Sequence, residues 1–315
     1  MEKNKKVVIL GGGTGLSTLI GGLKKFPVDI TAVVAVSDDG KSTGKLREEF
    51  EIPAVGDLRR VIVSLSQTEP LVQELLNYRF KTTSDLNGHT LGNLLLTALI
   101  EVSGNLSIGI ESLSKVLNLK GKVLPVTQDN VTLVAEMMDG EIIEGEHKIT
   151  EAKKQIKKVY YKQQPKVLNE VIEEIEAADL IILSMGSLFT SIIPNLICED
   201  VIKAIDNSKA EIMYVCNIMT QPGETDNYKV SNHIDALNNY LGNKKVSTVM
   251  VNNGEISSEI IEKYLVAEQK DPVIIDNENL KDIKVIEDDF VTIQNESIRH
   301  NSTKLGLQIY TNLIM

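Results

Sequence analysis

The sequence predicts a doubly wound α/β core with a mainly parallel sheet, carrying a helical segment and a small antiparallel β insertion. Three observations lead there: short runs that are apolar throughout, glycine-rich or polar loops directly after those runs, and helical spacing of apolar residues between them. The chain has 315 residues, 42% of them apolar and 24% charged, which suits a sizeable core and excludes disorder as the main theme. No linker rich in Gly, Pro or Ser divides it and no internal repeat appears. Residues 1–315 therefore read as one domain, with the insertion over roughly 122–165.

Val7-Val8-Ile9-Leu10 has the pattern of a strand buried on both faces. It runs into Gly11-Gly12-Gly13-Thr14-Gly15, after which Leu16, Leu19, Ile20 and Leu23 mark one face of a helix. Ile30 to Val36 is the second strand and ends on Ser37-Asp38-Asp39-Gly40, which completes a βαβ unit. Leu58 to Leu119 is helical, with loops at 82–89 and 103–107. Val131 to Met137, Asp139-Gly140 and Glu141-Ile142-Ile143 read as two strands around a tight turn, the heart of the antiparallel insertion. A helix over 171–178 precedes a second buried strand, 179–184, and Glu211 to Asn217 forms a third. Val246–Val251 and Val273–Ile275 are expected as further strands.

The charge balance, 33 Lys+Arg against 44 Asp+Glu and a net −11, speaks against a general affinity for nucleic acid or anionic membrane. The absence of Trp and an aromatic content of 4% weaken any base-stacking role. Cys198 and Cys216 sit in apolar surroundings without a ligand cluster and read as core residues of a reduced protein. The basic start, Met1 to Lys6, leads into only four apolar residues, which fits neither a signal peptide nor a membrane span, and no other apolar stretch nears ~18 residues. A cytoplasmic location is expected, with no nucleic-acid partner and no membrane insertion; a homo-oligomer is left open.

In an open parallel sheet, ligands bind beyond the carboxyl ends of the strands. Here those ends carry Gly11–Gly15, Ser37–Gly40, Ser184–Ser187 and Asn217–Thr225. Glycines let backbone N–H groups approach a diphosphate, and the helix N-terminus adds partial positive charge. Two familiar phosphate motifs fail. A dinucleotide G-x-G-x-x-G would need glycine where Leu16 stands, and Gly40-Lys41-Ser42 as a P-loop would need glycine at Ala35. The carboxylates of Asp38 and Asp39 suit a divalent metal bridging a diphosphate, or ribose hydroxyls; the plainer reading is a turn with Ser42 or Thr43 capping the next helix. Asp57, in Gly56-Asp57-Leu58-Arg59-Arg60, reads first as a helix N-cap. His89 is either a general acid or phosphate donor, or a satisfied core histidine.

Five ordered segments together carry a resemblance: Ile9 to Ser17, Ser37-Asp38-Asp39-Gly40, Gly56-Asp57-Leu58-Arg59, Gly88-His89-Thr90-Leu91-Gly92-Asn93 and Asn217 to Thr225. The chain resembles the YvcK/CofD-like family from about Lys6 to Lys304, and its gluconeogenesis-factor branch more than its phospholactate-transferase branch. That resemblance implies a three-layer, Rossmann-like α/β/α fold and a UDP-sugar ligand such as UDP-N-acetylglucosamine, with a regulatory role in cell shape and envelope synthesis on gluconeogenic carbon sources. Carried over by position, Gly12, Gly13 and Thr14 cradle the diphosphate and Asp38 lies near the nucleotide or sugar. Asn93, Gly186, Ser187, Asn195, Asn217, Thr220 and Gln221 line the remaining pocket, and Arg299 is the basic contact. No cofactor is implied by this reading. The alternative is a metal-dependent transferase acting on a nucleotide-diphosphate donor, with Mg2+ on Asp38 and Asp57. The sequence departs from the family pattern at Lys41 and at Asn301, where glycine and aspartate are usual. Ser302 and Thr303 fall near a threonine phosphorylated in some relatives, which adds a Ser/Thr kinase to the expected partners.

Overall fold

The computed structural model describes residues 4–294 and 297–314; the first three residues of the basic N-terminal run lie outside them. In chain order the strands are β1 (Lys5–Gly11), β2 (Val28–Val34), β3 (Lys122–Pro125), β4 (Leu133–Met137), β5 (Ile142–Glu144), β6 (Ile156–Tyr161), β7 (Leu180–Leu183), β8 (Glu211–Val215), β9 (Thr248–Asn252), β10 (Lys284–Asp288), β11 (Val291–Gln294) and β12 (Ser297–His300). The helices before β7 are α1 (Gly13–Leu23), α2 (Lys41–Phe50), α3 (Gly56–Leu65), α4 (Pro70–Asn77), α5 (Leu91–Ser103), α6 (Leu106–Val116), α7 (Glu146–Ala152) and α8 (Asn169–Glu176). After it come a π-helical turn, Leu188–Ile192, and then α9 (Ile193–Leu196), α10 (Glu199–Asn207), α11 (Val230–Tyr240), α12 (Ser258–Glu268) and α13 (Ser302–Ile314).

Seven strands form one sheet in the order β10-β9-β8-β7-β1-β2-β3, every neighbouring pair parallel. Helices pack on it to give the three-layer α/β/α fold. The central strands are apolar because both faces are covered: Val7 to Leu10 and Ile181 to Leu183 have no exposed surface. From β1 the chain first winds outward through β2 and β3, then returns to lay β7 on the other side of β1. The strand order therefore reverses between β1 and β7, and the loops leaving those two strands open a crevice there.

Several sequence expectations are corrected. Lys122–Pro125 pairs parallel with β2 and belongs to the main sheet, so the antiparallel sheet (β5-β4-β6) starts only at Leu133. Val273–Ile275 is not a strand. It is held by two isolated bridges, Met219 with Pro272 and Lys229 with Ile274, and Pro272 has no N–H to extend a ladder. The seventh sheet strand is instead β10, a half-exposed edge. Asp57 does not cap α3: Val55 is the cap residue, and Asp57 lies one position inside the helix. Nor do Ser42 and Thr43 cap α2, whose N-cap is Gly40. Asn301 does cap a helix. Its Oδ1 accepts from Lys304 N at 3.1 Å at the start of α13, a role that asparagine and aspartate fill equally well. Both cysteines are buried and free, as expected.

Candidate functional site

At the crevice two adjoining cavities share Thr14, Gly15, Gly186 and Ser187 as a common wall. One, of about 250 Å3, is closed by Asn217, Thr220, Gln221, Lys270 and Arg299. The other, of about 280 Å3, is closed by Gly12, Gly13, Asp38, Asp57, Arg60 and Glu146. Each alone falls short of the ~300 Å3 at the low end of small-molecule sites, and joined they fall within that range. Both stand at the N-terminus of α1, whose first-turn amides and dipole favour negative charge.

The first cavity is a ring of neutral donors and acceptors held by one another. Asn217 grips the opposite loop, accepting from Gly186 N at 3.1 Å and donating to Gly186 O at 2.7 Å. Ser187 Oγ donates to Gln221 Oε1 at 2.8 Å, and Gln221 Nε2 donates to Glu224 Oε1 at 2.8 Å. Glu224, buried behind them, also accepts from Phe189 N and from the Thr190 hydroxyl, so it fixes the π-helical turn to the 221–224 loop. Burial pushes its carboxyl up to about 7. Thr220 ties this loop to Asp271, accepting from Asp271 N at 2.9 Å and donating its own N–H to the Asp271 carbonyl. The basic groups are Arg299, exposed on β12, and Lys270, which pairs with Glu268 at 2.6 Å. His300 adds no charge. Its Nε2–H donates to the Cys216 carbonyl at 3.1 Å, and burial holds its pKa down at about 4.

The second cavity is acidic. Gly13 turns with φ +62°, and an added Cβ at Gly12 would lie 2.7 Å from Asp57 Oδ2. The Asp57 carboxylate stands beside the Gly12-Gly13 turn on the same wall, so an anion seated on that turn meets a negative group there. Gly12, Gly13 and Thr14, expected to cradle a diphosphate, all line this cavity, and Thr14 and Gly15 belong to the wall shared with the first. Burial, then repulsion from Asp38, pushes the Asp57 carboxyl up to about 6, against the pull of Arg60 at 3.0 Å. Glu146 rises to about 8 from burial and from Asp38, Asp39 and Asp57. Asp39 points elsewhere: its Oδ1 accepts from His147 N at 2.7 Å and caps α7, which is what brings Glu146 to the cavity.

Three expected residues do not line either cavity. Asn93 is buried, accepting from Arg59 Nε at 3.2 Å and donating to Ser42 Oγ at 3.4 Å. Ser42 in turn meets His89 Nδ1 at 3.1 Å, so His89 is a satisfied interior histidine rather than a free acid. Asn195 is fully buried and spends its amide on the carbonyls of Gly11, Ser191 and Ile192. Asn93 and Asn195 thus brace the loops around the two cavities and do not line them. Conversely, Glu146 and Lys270 reach the site from segments that carry no local signal of it, and Arg60 follows directly on the Gly56–Arg59 segment. Among the described residues no group of three or more His, Cys, Asp or Glu side chains is arranged to hold a metal ion, so the metal alternative rests on the pair Asp38 and Asp57.

The raised carboxyls make stability pH-dependent. Unfolded, Asp57 and Glu146 ionise near their ordinary values, about 4. Between those values and the folded ones, the native state holds protons that the unfolded chain has lost, so their contribution to stability falls as pH rises through 6 and then 8. Asp57→Asn keeps the shape of the side chain and removes the buried charge. Its thermal midpoint is expected above wild type at pH 8, with the difference shrinking as pH falls and gone below about pH 4. A lower midpoint at pH 8 contradicts the assignment.

Comparison with known proteins is consistent over nearly the whole chain. The family described as 2-phospho-L-lactate transferase CofD matches residues 7–291. A gluconeogenesis factor of Halalkalibacterium halodurans is 46% identical over 307 residues, covering 96% of this chain and 95% of that protein. One from Bacillus subtilis is 46% identical over 309 residues, covering 97% of each. A crystal structure of a Bacillus halodurans protein superposes with a TM-score of 0.94 at 45% identity, over 98% of this chain and all of that one. Among the described residues no helix is long and apolar enough to cross a membrane.

Proposed function

The chain belongs to the CofD family, and from that membership we propose that it is a nucleotide-sugar-binding regulatory protein, with UDP-N-acetylglucosamine as the type of ligand. The proposal extends to a role in cell shape and envelope synthesis on gluconeogenic carbon sources, in line with the name gluconeogenesis factor that its relatives carry. The observation that carries the reading is the division of the crevice into a neutral cavity with Arg299 and Lys270 on its wall and an acidic one beside it. A diphosphate seats against Thr14, Ser187 and Arg299, where donors and a guanidinium offset its charge. The sugar and its hydroxyls then face the carboxylates of Asp38 and Glu146, which accept hydrogen bonds from hydroxyls but repel phosphate. Calorimetric titration with UDP-N-acetylglucosamine tests this. Arg299→Ala is expected to weaken binding about tenfold to a hundredfold, the usual cost of a charge-assisted hydrogen bond. Unchanged affinity would remove Arg299 from the site.

A second reading, a metal-dependent transferase using a nucleotide-diphosphate donor, is favoured by Asp38 and Asp57 on one cavity wall. The pair fits Mg2+ in kind, since that ion takes one or two carboxylates together with substrate phosphate and water. When bound it would offset the repulsion that raises Asp57 and would polarise the diphosphate. This reading requires an acceptor and a divalent-metal dependence that the regulatory one does not.

A further inference from the structure

A third cavity, of about 400 Å3, also reaches Thr14 and is walled by Ser17, Arg59, Arg60, Gln73 and Arg79. It concentrates positive charge in a chain of net −11. Arg59 is only 4% exposed, and its bonding partners are neutral: Asn93 Oδ1 accepts from Nε at 3.2 Å, and Asn77 Oδ1 accepts from Nη1. Arg79 donates to the Gly88 carbonyl and has no carboxylate partner among the described residues. Arg60 holds the one carboxylate found within 4 Å of the three guanidiniums among the described residues, Asp57, through Nη1 alone. Burial, then repulsion from Arg60 and Arg79, pulls the Arg59 pKa down to about 10. Arg59, buried without a counter-ion, is costly, and the more exposed guanidiniums of Arg60 and Arg79 beside it add a repulsion that an entering anion relieves. Guanidinium forks match the oxygens of a phosphoryl group, and the first turn of α1 adds its dipole on the same side.

We infer that this cavity is an anion site for a phosphoryl group, separate from the nucleotide-sugar site and holding a second, phosphorylated ligand. A phosphoryl group has two sources here: a second molecule, or the diphosphate of the nucleotide sugar reaching past Thr14. Titration of the full chain with inorganic phosphate and pyrophosphate, with and without saturating UDP-N-acetylglucosamine, separates them.

Pyrophosphate is expected to bind in both conditions. Arg79→Ala is expected to weaken it at least tenfold, and so is Gln73→Glu, which keeps every arginine and adds a carboxylate to the wall. Both variants should bind UDP-N-acetylglucosamine as wild type does. Absence of pyrophosphate binding, or equal affinity in Gln73→Glu, overturns the site. Competition between pyrophosphate and the nucleotide sugar overturns its separateness and assigns the arginines to the sugar's own diphosphate. Loss of pyrophosphate binding in Arg79→Ala and Gln73→Glu reads the anion site whether or not the nucleotide sugar binds, so its failure and a failure of the nucleotide-sugar reading are distinguishable.

Discussion

Replacing Arg47 with methionine is expected to lower the thermal midpoint by roughly 10 °C, because uncovering a buried hydrogen-bonded charge site costs about 3–5 kcal/mol in a domain of this size. Arg47 is 8% exposed, and each of its five N–H donors has an acceptor. Nε and Nη2 share Asn130 Oδ1 at 3.2 and 2.6 Å, Nη2 also reaches the Val131 carbonyl at 2.5 Å, and Nη1 takes the carbonyls of Ser37 and Asp38 at 3.1 and 3.0 Å. One side chain thus ties the loop after β2 to the entry of the antiparallel sheet. Methionine fills the volume but leaves those carbonyls without donors. Lysine does not rescue, since a single ammonium cannot span both loops. Nucleotide-sugar affinity should fall as well, because Asp38 loses its backbone anchor. A calorimetric melt that leaves the midpoint within a degree of wild type would contradict this account of the loop.

Gly15→Ala carries the second large effect, and it acts on binding more than on stability. A Cβ at Gly15 would lie 1.5 Å from the Met185 carbonyl oxygen and 2.5 Å from its carbon, both backbone atoms that no rotamer change can move. The β1–α1 turn and the loop after β7 must separate, and they are the common wall of both cavities. The expected outcome is loss of UDP-N-acetylglucosamine binding by at least about a hundredfold, with a stability cost of about 1–3 kcal/mol, the usual range for overpacking. Gly21→Ala on the same helix is the control. Nothing lies within 4 Å of its added Cβ, so binding is unchanged and stability rises by up to about 1 kcal/mol. Normal binding by Gly15→Ala would mean the two loops are not a fixed wall.

How much of this was legible from residues alone depended on whether burial was two-sided. Val7 to Leu10 and Leu180 to Leu183 announce themselves because a strand covered on both faces has no polar position to interrupt it. The edge strand Lys284–Asp288 does not, since its half-exposed residues look like any surface segment. Val273–Ile275 misleads for the opposite reason: it is apolar and β-branched, yet Pro272 before it and single bridges on either side leave it without a ladder.

The site divides in a similar way. Loop composition at the strand ends located the crevice, because the topology brings those loops together. It did not separate residues that line the crevice from those that brace it. Asn93 and Asn195 come from the same resemblance as Thr14 and Ser187, but their amide nitrogens are spent on Ser42 and on the carbonyls of Gly11, Ser191 and Ile192. Asp57 stands where a helix cap is expected, and whether it caps or turns into a cavity is set by the packing of α3 against α1. Glu146, Lys270 and Arg79 arrive from distant segments, and no local pattern marks them.

Thermal unfolding with UDP-N-acetylglucosamine, UDP-glucose, GDP, NAD and NADP, each with and without magnesium, tests the central claim most directly. Ligand at ~100 times its dissociation constant adds about 2.7 kcal/mol and moves the midpoint by several degrees. The predicted result is a shift with the UDP-sugars that does not require magnesium, is reduced in Arg299→Ala, and leaves the nucleotide sugar intact on prolonged incubation. A shift only with GDP plus magnesium, or only with NAD or NADP, would contradict it.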